Sequence, residues 1–112
     1  MTLYRSEKLE AALMKAAAAF IERVSNRTSL VTVTGVKTDS KGSRAVISVS
    51  ILPEEMEATT LDFLKRQRAD LRTFIKEHIK LRQAPFIEVM IDQGMKNQQV
   101  IDRLVAENRK PS

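Results

Sequence analysis

The apolar residues of this chain switch repeatedly between helical and extended periods. Leu9, Leu13, Ala16, Ala17, Phe20 and Val24 recur at helical spacing and predict a helix over residues 5–26. The alanines narrow its apolar face, so a close neighbour is expected against it. Over residues 30–36, Leu30, Thr32 and Thr34 alternate with Val31 and Val33, a strand period in β-prone residue types. Asp39, Ser40, Lys41 and Gly42 supply turn chemistry. A second strand follows over residues 45–52, with Ala45, Ile47, Val49 and Ile51 opposite Val46, Ser48 and Ser50, and Pro53 closes it. Leu61, Leu64, Leu71, Ile75 and Ile79 restore the helical period. Pro85 ends that segment, because the residue before a proline avoids the helical region. Residues 86–92 form a third strand with Ile87, Val89 and Ile91 on one face. After Gly94, Val100, Ile101, Leu104 and Val105 predict a short terminal helix capped by Asn97.

The order α-β-β-α-β-α defines an α+β domain. Its first two strands can pair as a hairpin. The third arrives by a helical crossover and should lie parallel to at least one of them. Both long helical segments, over residues 5–26 and 56–80, are expected on one face of a three-stranded mixed sheet, with the other face open to solvent. Phe63, Phe74 and Phe86 fall where core residues belong, and Met14, Met56, Met90 and Met95 read as core filler. The second helical segment contains a phase conflict. At 100° per residue, Arg68 falls among Leu61, Leu64, Leu71 and Ile75. The conflict is resolved if the helix breaks between Gln67 and Ala69, and alanine's restricted backbone predicts a kink rather than a loop. The alternative is a straight helix whose Arg68 extends its stem to reach water.

At 112 residues the chain fits one domain, taken as 1–110 with 111–112 as a tail, and one ordinary core. Cysteine is absent, which excludes disulfides and thiolate chemistry and suits a reducing cytoplasm. No secretory leader is read at the N-terminus. The apolar run over 11–21 is broken by Lys15 and too short to span a bilayer, so no membrane partner is expected.

Charge changes the picture more than composition does. The net charge is +5 and the pI about 9.8, which favours an anionic partner. The segment 65–82 carries seven cations against Asp70 and Glu77, an excess equal to that of the whole chain. Lys65, Arg68, Arg72, Lys76 and Lys80 recur every three or four residues, so on a helix they form a basic stripe suited to phosphates. Arg82 extends it, or else caps helix carbonyls before Pro85. Lys37, Lys41 and Arg44 in the hairpin connection are a possible extension. The bland alternative is a solvated helix face whose polarity complements the helix dipole. Base-specific readout is not expected, because no aromatic stacking platform is evident.

No catalytic constellation emerges. His78 is the sole histidine and, without cysteine, belongs to no zinc site; between Ile75 and Ile79 it reads as a partly buried helix residue. Glu54, Glu55 and Glu57 suit a solvated helix start better than a metal. Gly35, Gly42 and Gly94 are too far apart for a phosphate-binding loop. No enzyme, cofactor or metal is expected.

Leu30-Val31-Thr32-Val33-Thr34-Gly35-Val36, then Ala45-Val46 and Ser48-Val49-Ser50-Ile51-Leu52, resemble the first two strands of the ribosome-binding factor A family. Leu71-Arg72, Leu81-Arg82-Gln83-Ala84-Pro85-Phe86-Ile87 and Asp92 are similar to its second-helix end and third strand, and Ile101-Asp102 with Leu104 to its closing segment. The resemblance implies a type II KH-like fold. It also implies a cytoplasmic factor that binds the immature small ribosomal subunit and assists late maturation of its RNA. Where that family has an Ala-x-Gly break, this chain has Gln67-Arg68-Ala69; where the family has Ser-Pro-Asp-Leu, this chain has Asp39-Ser40-Lys41-Gly42. The favoured reading is thus a non-enzymatic, monomeric RNA-binding assembly factor with small-subunit ribosomal RNA and the pre-small subunit as partners. The competing reading is a small protein-interaction or dimerisation domain with a basic solvated helix.

Overall fold

The computed structural model describes residues 2–25, 28–81 and 83–94, the side chains of residues 2–6 excepted. Its elements run α1 (Thr2–Val24), β1 (Leu30–Thr38), β2 (Arg44–Leu52), a 3-10 turn (Glu54–Met56), α2 (Glu57–Arg66), α3 (Arg68–Ile79) and β3 (Phe86–Ile91). The expected end of the first helix at residue 26, Arg82, and the helix expected beyond Gly94 lie outside the described residues.

The alternation of apolar residues builds a three-stranded sheet in the order β1-β2-β3, antiparallel between β1 and β2 and parallel between β2 and β3. A bulge between Val33 and Gly35 shifts the β1 register. Strict alternation from Val31 and Val33 would send Gly35 and Lys37 inward. The bulge resets the phase, so Val33 and Val36 both face the core while Lys37 stays in water.

The inward residues Val33, Val36, Ala45, Ile47, Val49, Ile51, Ile87 and Val89 join Leu13, Ala16, Ala17, Phe20 and Ile21 of α1 in one core. Leu64 of α2 and Leu71 and Ile75 of α3 complete it, so α1, α2 and α3 cover the same sheet face. Buried Ala16 and Ala17 let α1 lie close against β1 and α3. Glu10 of α1 secures the end of β1, its Oε2 accepting from the Thr38 amide at 2.8 Å and the Thr38 hydroxyl at 3.2 Å.

Not every apolar residue went inside. Phe86 is 50% exposed and Met90 46%, because β3 spends its inward positions on Ile87 and Val89. Met14 is 37% exposed, one step around α1 from fully buried Leu13. Met56 does pack against the core, and Met95 lies outside the described residues.

The helical phase conflict is settled by a kink. Gln67 (φ −90°, ψ 4°) separates α2 from α3, and its N–H is shared between the carbonyls of Phe63 (3.2 Å) and Leu64 (3.0 Å). The Leu71 amide returns to the Gln67 carbonyl at 2.9 Å, so α3 resumes at once. Arg68 is thereby exposed, and its Nε donates to the Lys65 carbonyl at 2.9 Å, adding a side-chain bond at the end of α2.

Two turns use left-handed backbone. Gly42 (φ +68°) closes the hairpin loop, with Leu9 Cδ2 only 3.3 Å from where a Cβ would sit. Asp39 holds that loop by accepting from the Ser43 hydroxyl (2.6 Å) and the Ser43 amide (2.8 Å), and these bonds, the hydroxyl's foremost, lower the pKa of its carboxyl. At the end of α3, Lys80 takes φ 57° and ψ 45°, a conformation that costs a residue with a Cβ roughly 1–2 kcal/mol. Lys80→Gly is therefore expected to stabilise the protein by about 0.5–1 kcal/mol, after glycine's greater unfolded-state entropy is subtracted. Thermal unfolding checks this, and a lower midpoint would show that the lysine side chain outweighs its backbone strain.

Candidate nucleic-acid interface

The basic residues gather where the α2–α3 kink faces the start of β3. There, Asp62, Lys65, Arg66, Arg68, Arg72, Phe86 and Ile87 line one depression of about 620 Å³. A second, of about 540 Å³, runs from Arg72 and Phe86 to Lys41 and Gly42 of the hairpin loop. A third, of about 350 Å³, lies between Arg72, Thr73 and Lys76 on α3 and Gln83 and Ala84. Arg72 borders all three, so they form one connected surface around its side chain. Their walls mix apolar side chains such as Leu9, Leu81, Phe86 and Ile87 with cations, and the four cations Lys65, Arg66, Arg68 and Arg72 around the first hollow, against the single acid Asp62, suit a phosphate polymer.

The arginines are placed by the kink and by backbone acceptors. The kink sets Arg66 and Arg68 on the two sides of Gln67, so helices with separate axes present them to the same depression. Arg66 makes an exposed i,i+4 pair with Asp62 at 3.6 Å, worth about 0.3–0.5 kcal/mol. This leaves Lys65, Arg68 and Arg72 as the excess positive charge of that hollow.

Arg72 is held more firmly than any of them. Its Nε donates to the Pro85 carbonyl at 3.0 Å and its Nη2 to the Ala84 carbonyl at 2.9 Å. The guanidinium fork thus clamps the segment leading into β3 onto α3. Its first role is to shape the surface, and contact with a ligand would come in addition.

The stripe expected from the sequence is only partly assembled. Lys65, Arg68, Arg72 and Lys76 lie on the connected surface, and Lys41 joins them from the hairpin loop. Lys80 and Lys37 are exposed but line none of these hollows, and Arg82 lies outside the described residues. Arg44 is paired with Glu88 at 2.6 Å, and its guanidinium carbon stands 5.7 Å from the Phe86 ring centroid. The hollows also include Arg66 and Phe86, to which periodicity does not point: Arg66 falls off the face of a straight helix, and an aromatic at position 86 is expected in the core.

His78 is exposed rather than partly buried. It stacks on Phe74 with ring centroids 3.8 Å apart, and its Nδ1 lies 2.8 Å from the Phe74 carbonyl. The side chain lies over the outside of Phe74, whose ring packs against Phe20 at 5.5 Å. Among the described residues no group of three His, Asp or Glu could hold a metal ion, and no helix is long and apolar enough to cross a membrane.

A mixed three-stranded sheet, helices on one face and a kinked helix pair beside a cationic surface make this a KH-like α+β protein. The chain belongs to the ribosome-binding factor A family, whose family model matches residues 5–105. The crystal structure of ribosome-binding factor A from Thermus thermophilus is similar at 28% identity and a TM-score of 0.68, covering 77% of this chain and 93% of that one. The same values hold for a Thermus thermophilus ribosome-binding factor A model fitted into a cryo-EM map of its complex with 30S. A solution NMR structure from Thermotoga maritima, described as a candidate ribosome binding factor A, is 27% identical with a TM-score of 0.56, covering 79% and 83% of the two chains. No curated protein matches the chain.

Proposed function

We propose that this protein is an RNA-binding assembly factor of the small ribosomal subunit that assists late maturation of the subunit's RNA, acting by binding rather than by catalysis. Family membership supports the partner, and one observation carries the mechanism. Hollows lined by Lys41, Lys65, Arg66, Arg68 and Lys76 converge on Arg72. Such a surface meets RNA through its phosphates, and displacement of condensed counterions supplies most of the affinity. Residues 1–110 act as a single monomeric KH-like domain in the cytoplasm and need no cofactor. Within the interface, Lys65, Arg66, Arg68 and Lys76 contact phosphates, Lys41 extends the path toward the hairpin loop, and Arg72 positions the β3 side. Lys80 and Arg82, with Lys37 and Arg44, are further candidates for phosphate contact.

The test is co-sedimentation of the protein with purified small ribosomal subunits across a salt series. About five phosphate contacts should make log affinity fall with log salt at a slope of roughly −3 to −5. Binding that ignores salt, or no binding at any salt, would remove this reading.

A further inference from the structure

Phe86 opens β3 with half of its surface in water, while Ala84 and Ile87 on either side of it are buried. It borders two of the cationic hollows, one with Lys65, Arg66 and Arg68 and the other with Lys41. Arg44, paired with Glu88 at 2.6 Å, places its guanidinium over the ring, 5.7 Å from the centroid. An exposed aromatic among cations matches the way proteins hold single-stranded nucleic acid. The ring takes a base by stacking, which needs no particular sequence, while the cations follow the backbone.

We infer that Phe86 is a stacking platform for an unpaired RNA base, and that the ligand of the cationic surface is therefore single-stranded rather than duplex RNA. Bases inside an A-form helix are already stacked, and the narrow major groove keeps side chains from reaching them. A base splayed out of a loop or strand presents a free π-face at the distance that a single aromatic can cover. The Arg44 guanidinium lies over one face of the ring, so a base stacks either on the outer side of that flat cation or on the part of the ring it leaves in water. This inference rests on the RNA-binding reading of the same surface and adds the strandedness of the ligand.

The chain contains no tryptophan, so Phe86→Trp places a sole indole reporter at the platform. Its emission should be quenched by a single-stranded oligoadenylate of about a dozen nucleotides and not by a duplex of equal length. Phe86→Leu, which keeps apolar bulk and loses the π-face, should bind the single strand about tenfold more weakly with an unchanged salt slope. Circular dichroism confirms that both variants are folded. Wild-type affinity in Phe86→Leu, or equal quenching by duplex and single strand, overturns the stacking role while leaving the cationic surface intact. Salt-independent binding by the unmodified protein overturns the surface reading, and the platform falls with it.

Discussion

Replacing Lys65, Arg66 and Arg68 together by glutamine is expected to flatten the salt dependence of RNA binding by about two to three units of slope, because each phosphate contact contributes roughly 0.7–0.9. At physiological salt the affinity should fall on the order of tenfold to a hundredfold. These side chains are exposed and lie around the kink, where they share one hollow. Their structural contributions are small: the Arg66–Asp62 pair is solvated, and Arg68 adds a surface hydrogen bond to the Lys65 carbonyl. The thermal midpoint should therefore stay nearly constant while binding collapses. Lys15→Gln with Arg23→Gln removes two exposed cations from α1, away from the surface, and should leave the slope close to wild type. A wild-type slope in the triple variant would mean that these residues are a solvated helix face.

Arg72→Ala should act differently, by destabilising the protein by about 2–4 kcal/mol out of a total of roughly 5–15. Hydrogen bonds from a charged donor contribute about 1.5–3 kcal/mol each, and the alanine variant abandons acceptors beside buried Ala84 and Pro85. Arg72→Lys should recover only a fraction, since an ammonium cannot reproduce a planar fork that spans adjacent carbonyls. Denaturant unfolding reads the effect as a lower midpoint at unchanged m-value. A loss below about 0.5 kcal/mol would show that the segment before β3 is held by its apolar contacts alone.

The contrast between these variants marks how far the sequence could be read. Local periodicity was sufficient for the described helices and strands and for the buried side of β2 and β3, because hydrophobic alternation is a short-range code, whereas the bulge in β1 broke the alternation after Val33. The conflict at Arg68 even located the kink, without the Ala-x-Gly signature that the family would supply. Three things required coordinates. Arg72 looked like one more cation because its acceptors are carbonyls twelve and thirteen residues away, and backbone acceptors leave no trace in residue type. Arg66 dropped out of the stripe because a straight-helix wheel was carried across a bend. Phe86 was given to the core because aromatic residues usually belong there, although its alternation with Ile87 and Val89 already put it on the other face. The family resemblance, in turn, specified a partner that no charge pattern could have named.

The sheet order has a consequence for when the basic surface comes into being. β1 and β2 are joined by a short loop and can pair early, whereas β3 must close a loop that contains both α2 and α3 before it reaches β2. Every hollow around Arg72 takes part of its wall from residues 83–87. A chain whose last strand has not docked therefore carries the same charges but no surface to concentrate them. The proposed RNA surface is therefore complete only once β3 has docked, so an incompletely folded copy is set apart from a finished one by geometry alone.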